Sequence, residues 1–472
     1  MAVDSTNRAA WVKSASMRSF STLAGLVALT LAGCASEKHG ASTSSSSQGT
    51  TDPGPSAAAA GQSATGAPKS SASAAAPAAS GPQNVLVLSI DSLRADQMAF
   101  GGGREEVMPT LNAFEKTAVT YTRFSALSSY TAQTLGGFLG ARYPSELKRS
   151  GYFFASYPDD ELLFPELLQK AGVRTMSAHA HFYFNKEKAG FHQGFDVYEL
   201  VPDLKKNNTT DENITSPAHT EIILRHLGDK ANAGKRFFAF YHLLDPHDQY
   251  MGHPEGKSFG KGARNLYAGE LYFTDMHVKK ILDFVDGQPW GKDTVVVITS
   301  DHGEAFGEHK MYRHGFELWS VLTHVPLMIR GPGFKPRRID EPRGMIDLAP
   351  TILDIFDVAP DPSFQGVSLV PELEGGATPQ RDVISDLART SDNDRRRTLT
   401  RGNWRIIEGG NADGYQLFDL SADPEEKNDL ARRDRAKLDE MRKALDEASG
   451  KIKEICPKMT SKLKGKKQGR DC

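Results

Sequence analysis

The stretch TVVVITSDHG, residues 294–303, constrains the fold of this chain most. Its first six residues are β-branched and uncharged, as in a strand covered on both faces within a parallel sheet. The run then gives way to Ser300-Asp301-His302-Gly303. In open α/β sheets, ligands bind in the crevice beyond the carboxyl ends of the strands. A carboxylate and an imidazole therefore emerge where a site belongs, and together they suit a divalent cation of borderline hardness. A strand followed by an ordinary polar loop would read the same, so the rest of the chain must decide.

The pattern recurs. NVLVLSI, residues 84–90, runs into Asp91, which is a candidate helix cap as well as a ligand. A strand over 173–178 leads to His179 and His181, and RFFAFY, 236–241, leads to His242 and His247. Before a Gly-rich apolar helix start, SSYTAQTLGGFLG places hydroxyls, among them Thr131. A hydroxyl at a helix N-terminus suits a nucleophile facing an anion, although Ser and Thr also serve there as plain caps. Helices are expected at 161–170, 217–233, 265–286 and 347–357, and a strand around 326–330. Residues 190–200 read as turn and loop. Alternation of strands with helices predicts a doubly wound α/β sheet. From residue 381 on, hairpin-like patterns and a charged helix at 433–448 predict a small antiparallel sheet with a helix.

The chain of 472 residues is long enough for one large α/β domain or two ordinary ones. A formal net charge of −2 gives no reason to expect nucleic acid as a partner. Three cysteines, Cys34, Cys456 and Cys472, exclude a disulfide framework and a cysteine-based zinc site. Of the 14 histidines, only His39 lies outside the span from His179 to His324.

Residues 1–34 read as a secretory signal ending Leu31-Ala32-Gly33-Cys34, similar to a bacterial lipobox with Cys34 as the lipidated residue. The alternative is an ordinary signal peptide with a coincidental cysteine. Residues 35–82 are Ser, Ala, Gly, Thr and Pro almost throughout, the composition of a flexible tether. It reaches roughly 150 Å at full extension. The expectation is an exported lipoprotein held at the outer membrane, with the folded part at 83–380 and 381–450 and a basic tail at 451–472.

With these segments in order, the chain resembles the sulfatase family of the alkaline phosphatase superfamily. NVLVLSIDSLRAD, MPTLNAFEKTAVTYTRFSA, ARYP, RFFAFYHLLDPHDQY, VVVITSDHGEAFGEH, IDLAPTILDIF and GYQLFDLSADPEEKNDLA carry the resemblance. It implies an alkaline-phosphatase-like sandwich with a large, mostly parallel central sheet flanked by helices. It implies one divalent metal ion (Ca, Mg or Mn, with Zn as a further option) held by Asp91, Asp301 and His302. It implies a nucleophile at Thr131, counted back from Arg142-Tyr143-Pro144, and catalytic roles for His247 and His181. His179, His242, His309 and His314 would contact an anionic ester substrate. Ser92 stands where many members have a second Asp. Residues 131–135, Thr-Ala-Gln-Thr-Leu, lack the Cys, Pro and Arg of the motif that becomes formylglycine, so no formylglycine is expected. The function implied is hydrolysis of sulfate esters. Phosphoester or phosphonoester hydrolysis or transfer, and an inactive protein that binds anionic glycans, are the alternatives. With the family's lysine and arginine missing, protonated histidines would have to offset the anion, and activity would fall as pH rises.

Overall fold

A computed structural model describes residues 84–186, 188–205, 213–409 and 414–457. Cys34, the linker and the tail beyond residue 457 lie outside them. The main sheet is built from β1 (Asn84–Ile90), β2 (Val119–Ser125), β3 (Arg174–His179), β4 (Val197–Leu200), β5 (Phe237–Leu243) and β6 (Thr294–Thr299). After a two-stranded ribbon, β7 (Ala305–Phe306) and β8 (Tyr312–Arg313), it continues with β9 (His324–Arg330), β10 (Arg337–Ile339) and β11 (Arg343–Gly344). The order is β10-β2-β9-β6-β1-β5-β3-β4, with β11 also on β2. Only β9 runs antiparallel to its neighbours, β2 and β6. The architecture is the mixed α/β one expected.

Every residue of β1, β5 and β6 is buried, as the apolar runs require. Alternation divides β1 between two cores. Val85 and Val87 face one, with Leu135 and Phe138 of the helix Thr131–Gly140 and Phe164 of the helix Phe164–Lys170. Leu86, Leu88 and Ile90 face the other, with Leu271, Val278 and Ile281 of the helix Ala263–Asp286. At about 1.5–3 kcal/mol for each large side chain fully buried, this two-sided packing sets the strand register.

Three local expectations change. The helix expected from 161 begins at Phe164, with Pro165 in its first turn, where a missing N–H costs nothing. The helix expected over 217–233 is two, Ser216–Gly228 and Lys230–Ala233. Between them Asp229 is extended and accepts from the N–H of Ala231 as a new cap. Within 190–200, taken as turn and loop, Val197–Leu200 pairs with β3 as the sheet's edge.

The second sheet, β12 (Val383–Leu387), β13 (Arg396–Arg401), β14 (Trp404–Glu408) and β15 (Tyr415–Asp419), is antiparallel. The helix Arg435–Ser449 covers it through Leu438, Met441 and Leu445. Asp386 joins this sheet to the rest: it accepts from the Ser145 N–H at 2.8 Å and from Arg397 Nε at 2.8 Å. Arg397 is almost fully buried. Asp386→Ala would strand that guanidinium, and we expect a loss of about 3–5 kcal/mol in urea unfolding. An unchanged midpoint would show that the pair does not hold the sheets together. Cys456 is disulfide-bonded; three cysteines cannot make a framework, but they leave room for this one bridge. Among the described residues, no helix is long and apolar enough to cross a membrane.

Candidate active site

β1 lies between β5 and β6, all parallel, and Ser89 stands opposite both His242 and Thr299. His179 of β3 continues the row opposite His242. These strands therefore end at one level. Asp91, one residue past β1, comes beside Asp301, two residues past β6, in the crevice where such sheets bind ligands.

Asp91, Asp301 and His302 are fully buried, and one donor atom from each lies within 4.8 Å of the other two. Each carboxylate is anchored through one oxygen. Asp91 Oδ1 accepts from the Ser92 hydroxyl at 2.6 Å, and Asp301 Oδ1 from the His302 N–H at 3.0 Å. Their Oδ2 atoms have no hydrogen-bond partner. Two orphaned, buried carboxylate oxygens are costly unless a cation meets them. His302 Nδ1 lies 2.9 Å from the Gly303 carbonyl, so it must donate, and a lone pair remains at Nε2. Nε2 is 3.4 Å from Asp301 Oδ2. Two oxygens and one imidazole nitrogen fit a divalent ion of the Mg, Ca, Mn or Zn group. Burial works against charge on Asp301, but His302 and His242 beside it hold its carboxyl well below the usual range. Ser92, found where the resemblance expects a second Asp, takes a left-handed backbone (φ 58°) and serves Asp91 as a donor.

Thr131 is the first residue of its helix, and its Oγ1 lies 3.0 Å from His302 Nε2. With no proton on Nε2, the hydroxyl donates, and it sits at the mouth of the donor triangle. The helix is pinned by Tyr157, whose hydroxyl donates to the Ala132 carbonyl at 2.8 Å. That hydroxyl passes so close to Gly136 that a Cβ there would come within 2.1 Å of its oxygen.

Asp91 and Thr131 open into a cavity of about 610 Å³. His181, His247 and His314 line it, with an aromatic wall that includes Tyr130, Phe153, Phe154 and Phe316. His181 Nδ1 accepts from the Tyr183 N–H at 3.0 Å, so the neutral ring carries its proton on Nε2. His247 is the reverse: Nδ1 donates to the Asp248 carbonyl at 2.6 Å. His314 sits 4.2 Å from the His302 ring, centre to centre. Burial opposes its charge, but Glu304, 3.2 Å from Nδ1, carries its pKa up to about 9.

Three of the expected substrate contacts lie elsewhere. His179 is fully buried, with Nε2 3.0 Å from Ser177 Oγ and its ring on Phe184, and burial pushes its pKa well down. It supplies no positive charge. β3 runs through this residue instead of ending before it, so the side chain turns into the core. His242 is likewise inside β5 and fully buried. Its Nε2 lies 3.2 Å from Asp301 Oδ2 and 3.6 Å from Asp91 Oδ2, without hydrogen-bond alignment. It faces the donor triangle, as a further metal ligand would, and not the cavity. His309 stacks on Trp319 at 3.8 Å, away from the cavity. Arg313 was not anticipated. It lines the cavity and pairs with Asp248 at 2.8 Å. Its side chain is more than half exposed. Its place directly before His314 was the available signal.

The family model described as Sulfatase matches residues 83–358. The chain belongs to the sulfatase family. A model described as N-sulphoglucosamine sulphohydrolase, C-terminal, matches residues 307–454. Choline-sulfatase of Rhizobium meliloti (strain 1021) is 22% identical over 437 residues, covering 76% of this chain and 85% of that protein. Arylsulfatase K of Mus musculus is 29% identical over 208 residues, covering 40% of this chain and only 37% of that protein. Among solved structures, one in complex with its substrate D-glucosamine-2-N,6-O-disulfate superposes with a TM-score of 0.66 at 18% identity, covering 79% of this chain and 98% of that chain. The phosphonate monoester hydrolase of Agrobacterium radiobacter gives 0.61 at 18%, covering 78% and 95%. These two likenesses establish the shared fold. The sulfatase chemistry is hydrolysis of sulfuric esters.

Proposed function

We propose that this sulfatase cleaves sulfate monoesters with Thr131 as nucleophile and a divalent ion at Asp91, Asp301 and His302. The observation that carries the reading is the Thr131 hydroxyl, 3.0 Å from His302 Nε2, at the mouth of a triangle with two orphaned carboxylate oxygens. When bound, the ion would lower the hydroxyl's pKa and offset the charge of the ester. The helix N-terminus at Thr131 adds positive potential of the same sense. His314 and Arg313 supply the cations that the resemblance leaves missing. In the first step a bond forms from Thr131 Oγ to sulfur as the bond to the leaving alcohol breaks; His247 Nε2 takes the hydroxyl proton and passes it to the departing oxygen, to which His181 donates a hydrogen bond from Nε2. In the second step water attacks the threonyl sulfate, His247 Nε2 takes its proton and returns it to Thr131 Oγ as the bond to sulfur breaks, and hydrogen sulfate leaves. Phe153, Phe154 and Phe316 then wall the leaving group. The anchor through Cys34 and its linker would hold the enzyme at a membrane surface.

The test is a panel of 4-nitrophenyl sulfate, phosphate and phosphonate monoesters with Ca, Mg, Mn and Zn. We expect the sulfate to turn over fastest. Faster turnover of the phosphonate would move the activity to the superfamily's phosphonoester branch. No turnover of any ester with any metal would leave a binding protein.

A further inference from the structure

A second cavity, of about 890 Å³, lies beside the first and shares Tyr312 and Phe316 with it. Those two rings are 72% and 45% exposed, so they form an aromatic lip between the two spaces. The far wall is the helix Arg435–Ser449 and the loop before it. Five cations line this groove against three carboxylates. Their commitments differ. Glu317 is paired with Arg396 at 2.9 Å, and Asp429 Oδ1 accepts from the N–H groups of Leu417 and Ala431. Arg442 stacks over Tyr415 and faces Asp446. Lys310, Arg432 and Arg435 are all exposed, and among the described residues no ion pair engages them. A groove with uncommitted cations and an exposed aromatic lip offers charge to anions and flat faces to sugar rings.

We infer that this groove is a second binding site, for an acidic saccharide that continues from the ester held at Thr131. The substrate is then an oligosaccharide with at least one further sulfate or carboxylate, seated on Lys310, Arg432 and Arg435. Tyr312 and Phe316 carry the ring that bridges the two cavities. The inference rests on the proposed ester-cleaving site for the direction of the chain, but the groove's affinity is separable from turnover.

The experiment measures fluorescence anisotropy of a labelled heparin hexasaccharide on the full-length protein, alongside kcat/KM for 4-nitrophenyl sulfate. Maltohexaose is the neutral control. Arg432→Glu with Arg435→Glu should weaken hexasaccharide binding at least tenfold and leave kcat/KM for the small ester within twofold. Added salt should weaken wild-type binding in the same direction. Replacing Lys462, Lys464, Lys466 and Lys467 by Gln should leave the affinity unchanged. Equal binding of maltohexaose, unaltered affinity in the Arg432/Arg435 variant, or loss of affinity in the tail variant would each overturn the groove. A protein that binds the hexasaccharide through these arginines but hydrolyses no ester would overturn the catalytic reading instead.

Discussion

Thr131→Ala is expected to reduce kcat for an aryl sulfate by at least about 10³-fold, the scale seen when a covalent nucleophile is lost. Metal content should stay at the wild-type level, because the donor triangle is closed by Asp91, Asp301 and His302 without the hydroxyl. Elemental analysis and steady-state kinetics on the same preparation separate the two effects. The fold should tolerate the change, since the helix start makes no side-chain cap and Ala is a good helix former. Turnover within tenfold of wild type would refute the nucleophile assignment. In that case a water molecule would be the attacking group, and Thr131 would only fill the mouth of the triangle. Thr131→Ser is the companion variant: it keeps the hydroxyl and should retain most of the rate.

Asp301→Asn is expected to lower both metal content and turnover, by more than about 10²-fold in kcat/KM, because a neutral amide replaces a charged ligand. Its second consequence separates a metal centre from a plain ion pair. In the metal-free state the Asp301 carboxylate lies beside His302 and His242, which hold it ionised, so its charge stabilises the fold. A neutral amide removes that contribution. The variant should therefore unfold at or below the temperature of chelated wild type, and it should lose the stabilisation that added metal gives wild type. Stoichiometric metal in the variant would sink the assignment. A variant more stable than chelated wild type would instead mean that repulsion between Asp91 and Asp301 outweighs the two histidines.

The parts of the site that were legible in the sequence are those fixed by local pattern. Asp91, Asp301 and His302 follow uncharged strand runs, so their place at the crevice depends only on where each strand stops. Thr131 was readable because a helix start is a local event. His179 and His242 were misplaced for one shared reason. Their strands extend one or two residues further than the apolar runs suggest, and in a strand each added residue changes the face it serves. His309 was misplaced because it takes a positive φ of 51° at a kink, which turns its ring onto Trp319. The aromatic wall was not legible, since Phe153, Phe154 and Phe316 come from segments without periodicity and meet only in the folded chain.

The ribbon formed by β7 and β8 leaves the sheet just after Asp301 and His302 and returns before β9. It carries Tyr312 and Arg313 into the first cavity, and Tyr312 also faces the second. On the proposed reading, reactivity rests on strand ends locked in a nine-stranded sheet, while selectivity rests on a short appendage to which the chain passes out once and back once. Such a division is evolvable. On that reading, sequence change at Tyr312 and Phe316 would retune which esters enter without moving Asp91, Asp301 and His302, so homologues with the same triangle need not share a substrate.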